Sequence, residues 1–89
     1  MPVISMFYGI VVRMFHFDNA RHKTPHIHVE YGEQNAVIAI PSGSLIEGKF
    51  KPTKLKLVQA WVEIHRDELM ADWKLATEGQ KVFKINPLR

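Results

Sequence analysis

At Thr53 the hydrophobic period of this sequence changes from two to 3.6, and that switch limits the folds open to the chain more than any other feature. Before it, residues 3–8 and 10–17 are rich in Val, Ile, Phe and Tyr and read as strands, with Gly9 as a kink, bulge or tight turn between them. A third strand runs through Pro25-His26-Ile27-His28-Val29-Glu30-Tyr31 to Gly32. A fourth covers Asn35 to Ile40, apolar on both faces as a helix-covered strand would be. After the turn Pro41-Ser42-Gly43-Ser44, Leu45 to Gly48 adds a short fifth. Strands precede helices, which predicts an α+β domain: an antiparallel sheet of about four to five strands with two C-terminal helices packed on one face.

From Thr53 to residue 65, Leu55, Val58, Val62 and His65 with Leu57, Trp61 and Ile64 form one broad apolar face. Thr53 is the expected N-cap of this first helix. Asp67 is the expected cap of a second, which runs from Glu68 to about Glu78, buries Leu69, Met70, Trp73 and Ala76, and stops at Gly79. Trp61 and Trp73 fall on the apolar stripes and read as core. Val82 to Ile85 is a candidate last strand. No repeat, linker or low-complexity tract divides the 89 residues, so one domain is expected.

The composition, 46% hydrophobic and 24% charged, is that of a chain that folds. The absence of cysteine excludes disulfides, thiolate metal sites and a cysteine nucleophile. No stretch approaches the roughly 18 to 20 apolar residues of a membrane span, and no basic leader precedes an apolar run; a cytoplasmic protein is expected. The net charge of +3 is mild, but its distribution is uneven. Lys49, Lys51, Lys54 and Lys56 form a basic run on a stretch without carboxylates, and together with Arg21 and Lys23 they are the candidate nucleic-acid contacts. Lys54 and Lys56 stand near a helix start, where the dipole disfavours cations by a few tenths of a kcal/mol. The alternative reading of the run is a solvated face.

Chemistry concentrates in one place. On an extended strand His26, His28 and Glu30 share one face while Ile27, Val29 and Tyr31 share the other. His22 precedes them by four residues, so three of the five histidines fall within a short stretch. Three uses are open to this cluster. The histidines can be structural, bonding loops and Glu30. They can hold a divalent transition metal such as Zn²⁺, with His22, His26, His28 and Glu30 as ligands, since alternate residues on a strand lie about 6 to 7 Å apart. Or His22, His26 and His28 can act as acid and base in a metal-free phosphodiester cleavage, with Arg21 and Lys23 supplying positive charge.

Over nearly its whole length the chain resembles the small bacterial family DUF4160, a domain of unknown function. The resemblance runs from Phe7-Tyr8-Gly9-Ile10 through Pro25-His26-Ile27-His28-Val29-Glu30-Tyr31-Gly32 and Ile40-Pro41-Ser42-Gly43 to Trp61, His65-Arg66, Glu68-Leu69, Trp73 and Ile85-Asn86-Pro87-Leu88. The family commonly has an Asp-His pair and two prolines before a His-aromatic-His segment. Here Arg21 precedes His22, Thr24 replaces the first proline and Ile27 the aromatic residue, while His22, His26 and His28 match.

The resemblance implies membership of a gene pair of toxin-antitoxin type, with another small protein as partner. The expected function is an interaction module that binds this partner, with RNA or DNA as a further ligand and a homodimer as a further assembly. The alternative is a small RNase-like or metal-dependent toxin built on the histidine cluster.

Overall fold

The computed structural model describes residues 2–15 and 23–89. Its strands are β1 (Val3–Phe7), β2 (Ile10–Arg13), β3 (His26–Tyr31), β4 (Gln34–Ala39) and β5 (Leu45–Gly48), followed by helices α1 (Pro52–Ile64) and α2 (Arg66–Thr77). The strands lie in the sheet in chain order, every neighbouring pair antiparallel. The expected α+β architecture is the observed one.

Tight turns explain that order. Tyr8 and Gly9 both have positive φ, 49° and 79°, the backbone that a two-residue hairpin between right-twisted strands requires. Gly32, with φ 58°, serves the turn between β3 and β4, where Tyr31 faces Gln34. The register then fixes which side chains meet. Val12 lies beside Val29 and Val29 beside Ala36, while Ile27 lies beside Ile38, so these residues share the inner face. They join Val58, Trp61 and Val62 of α1 and Leu69, Trp73 and Ala76 of α2 in one apolar core. Trp61, fully buried, packs on Phe7 at 5.3 Å between ring centroids, and its indole N–H donates to the Asn86 carbonyl at 2.8 Å. Both tryptophans are core residues, as read from the sequence.

The helix ends depart from expectation. Lys51, not Thr53, occupies the N-cap of α1 and makes no side-chain capping bond; Pro52 opens the helix, where its missing N–H would have had no partner anyway. Asp67 sits inside the first turn of α2, because His65 alone joins the helices and serves as the cap position of both. The buried stripe of α1 is narrower than the sequence pattern, and Ile64 on its flank is 65% exposed. In α2 the buried set includes Asp72 while Met70 is 38% exposed. The stop at Gly79 is as expected: with φ 73° it donates to Ala76 O, and Gln80 N–H donates to Leu75 O.

Val82 to Ile85 forms no strand. Val82 and Ile85 are buried, and Ile85 N–H donates to the Ile4 carbonyl at 2.8 Å, so the segment covers the edge of β1 as an irregular strap.

Candidate functional site

The outer face of the sheet is built by the same register. Arg13, His28, Val37 and Glu47 line up across β2, β3, β4 and β5, and Glu30 lies one step along β3 beside Val11 and Asn35. Arg13 Nε donates to Glu30 Oε2 at 2.9 Å, so the carboxylate proposed as a metal ligand is bound to a guanidinium. Phe15, just beyond β2, sets its ring edge-on to His28 with centroids 4.4 Å apart. Phe15, His28, Glu30, Asn35, Val37 and Glu47 line a cleft of about 220 Å³.

The two described histidines of the cluster differ in environment. His28 is partly exposed. His26 is 1% exposed, its ring 4.9 Å from that of Trp73 and 5.4 Å from that of His28. His26 Nδ1 lies 2.7 Å from the Thr24 carbonyl oxygen. A carbonyl only accepts, so Nδ1 carries the proton toward Thr24. A backbone carbonyl that fixes a histidine's tautomer is what both a metal-ligating and a proton-transferring imidazole need. Among the described residues no three histidine, aspartate or glutamate side chains are grouped so as to hold a metal ion. His22 and Arg21 lie outside the described residues, and Lys23 is exposed.

The basic run is divided by the fold. Lys49, Lys51 and Lys56 are exposed. Lys54 instead reaches back across the sheet, donating to the Tyr8 carbonyl at 3.2 Å with its ammonium 4.8 Å from the Tyr31 ring centroid. It braces the first hairpin. The α1 start is held by Lys51 N–H, which donates to Gln34 Oε1 at 2.7 Å.

Two features were out of reach from the sequence. Arg13, Phe15 and Glu47 belong to the outer face because of strand neighbours that only the assembled sheet defines. The second is the contrast between its edges. β1 is covered at Ile4 by the C-terminal strap, whereas β5 ends the sheet with Leu45 and Ile46 at 36% and 37% exposure.

Among the described residues no helix is long and apolar enough to cross a membrane. A family model described as a domain of unknown function, DUF4160, matches residues 9–74. No curated protein and no solved structure matches the chain.

Proposed function

Because the chain belongs to the DUF4160 family, a domain of unknown function, its role has to be argued from its own surfaces, and we propose that it is a protein-interaction module, one member of a toxin-antitoxin-like pair in the cytoplasm, that receives its small protein partner along β5. The observation that carries this reading is that β5 ends the sheet, with no further strand paired to its outer side among the described residues. An edge strand presents backbone groups to any extended segment that can add to the sheet, and such addition takes its specificity from the side chains beside the edge. Here one edge is strapped by Ile85, while β5 displays two adjacent apolar side chains, Leu45 and Ile46.

The test is to co-purify the chain with the product of its neighbouring small gene and measure the complex by calorimetry. Ile46→Lys should weaken it at least tenfold, while Ile64→Lys on exposed α1 surface should leave it unchanged. Equal binding by the Ile46→Lys protein would overturn the reading. So would a homodimer, detected by light scattering, that this variant abolishes.

His26 favours a second reading, a small hydrolase of RNA. Its Nδ1 contact with Thr24 fixes the ring's tautomer, and partly exposed His28 stands next to it as a second imidazole, 5.4 Å between ring centroids. His22 would complete the set, with or without a divalent ion such as Zn²⁺. Calorimetric titration with Zn²⁺, Ni²⁺ and Mn²⁺ beside the His26→Ala, His28→Ala protein separates the metal form from the metal-free one. RNA cleavage that survives the double replacement would exclude both.

A further inference from the structure

Phe83 is the most exposed large apolar side chain among the described residues, at 68%, and it is held there rather than left loose. Val82 and Ile85 on either side are buried in the core. The Phe83 N–H donates to Asp72 Oδ1 at 3.0 Å, Ile85 N–H donates to Ile4 O at 2.8 Å, and the Asn86 carbonyl accepts from Trp61 Nε1 at 2.8 Å. Backbone that is tied at three points holds Phe83 at the surface. With 68% of the residue exposed, packing accounts for only a minor part of the ring.

Its neighbours supply the charge. Lys81 and Lys84 are exposed beside it, and both line the shallow groove that Phe83 shares with Pro2 and Val3. Residues 79–89 contain no carboxylate side chain and carry Lys81, Lys84 and Arg89. Cations alone would suit any polyanion. An exposed ring on tied backbone between cations suits an anion that also has flat apolar faces, which is the chemistry of unpaired nucleobases on a phosphate backbone.

We infer that the C-terminal strap is a binding site for single-stranded nucleic acid, with Phe83 as a stacking platform and Lys81 and Lys84 as phosphate contacts. This surface is separate from the β5 edge and from the histidine face, and the inference stands or falls independently of both.

Fluorescence anisotropy with labelled single-stranded oligouridylate and oligothymidylate of about twelve nucleotides, a size within the range such sites cover, tests it. The full chain should bind at least one of them at low salt; the comparison between the two distinguishes RNA from DNA. Phe83→Ala should weaken binding at least fivefold, the low end of the stacking contribution, while Phe83→Tyr retains it. Lys81→Gln, Lys84→Gln should reduce the slope of log affinity against log salt by about 1.4, at about 0.7 per phosphate contact. Since all three side chains are exposed, circular dichroism should show each variant folded. Absence of binding to both strands would overturn the inference. So would binding that Phe83→Ala leaves intact, or equal competition by polyglutamate, which would mark an acidic-peptide surface instead.

Discussion

Asp72 accepts the Phe83 N–H on Oδ1 at 3.0 Å, while its Oδ2 is buried without a hydrogen-bond partner among the described residues. Burial raises the pKa of this carboxyl above 3.8, the Phe83 hydrogen bond opposes the rise, and the charge of Glu68 adds to it. The folded chain therefore binds this proton more tightly than the unfolded one. The destabilisation by ionised Asp72 is absent below about 3.8, develops as pH rises through the folded pKa, and is constant above it. Asp72→Asn keeps an acceptor for Phe83 and removes the buried charge. Relative to this variant, the parent should lose stability as pH rises through that window. Asp72→Ala removes the acceptor and should cost about 1–3 kcal/mol through the stranded N–H. Urea unfolding of the three proteins across a pH series checks both expectations.

Lys54 and Lys56 lie on the same turn of α1 yet should respond in opposite ways. Lys54 bonds the Tyr8 carbonyl and lies over Tyr31. Lys54→Met should lower stability by about 1 kcal/mol, which for a domain this small moves the melting temperature by about 4–8 °C. Lys56 is exposed, and Lys56→Gln should stay within about 0.5 kcal/mol of the parent. Thermal denaturation reads both. Equal melting temperatures would assign Lys54 to the solvated face with its neighbours.

Local patterns made most of this fold legible. Turn residues and period changes are local signals, and they mark β5 at Leu45–Gly48 and the helical stop at Gly79. The errors lie where the decisive partner is distant in sequence. Alternation put His26 on a polar row, but Trp73 packs against its ring, and the histidine is buried. Lys54 read as part of a basic run because its partner, Tyr8, lies on the first hairpin. An acid in a helix is ordinarily solvated, so nothing local marks Asp72; its burial follows from the strap at Phe83. Pro52 marks a first helical position and so points to Lys51, not Thr53, as the residue before it. The outer-face row of Arg13, His28 and Glu47 required the strand order, which no periodicity encodes.

Gly48 holds β5 against β4 at a distance no other residue allows. A Cβ there would stand 2.2 Å from the Asn35 carbonyl oxygen, and its φ of 89° is strained for any L side chain. Gly48→Ala should destabilise the protein by more than 2 kcal/mol, since backbone strain alone costs about 1–3 kcal/mol and the overlap is with main chain that cannot rotate away. Gly32 is the control. Its φ is 58° and a Cβ meets nothing within 4 Å, so Gly32→Ala should cost only the left-handed conformation, about 1–2 kcal/mol. The partner complex should weaken with Gly48→Ala more than with Gly32→Ala if β5 is the receiving edge.

His26 and His28, two residues apart on one strand, should separate in the same manner between stability and chemistry. Replacing His26 by Ala removes a fully buried ring from beside Trp73 together with its contact to the Thr24 carbonyl, a loss of about 2–4 kcal/mol. His26→Asn can still donate toward Thr24 and should recover part of that loss. His28 is partly exposed with its ring against Phe15, and His28→Ala should cost about 1 kcal/mol or less. Nitrogen NMR of the imidazoles supplies the matching observation: His26 should show a proton on Nδ1. A His26 that carries its neutral-form proton on Nε2 would contradict the Thr24 contact. It would also remove the argument that this histidine is posed for either metal binding or proton transfer.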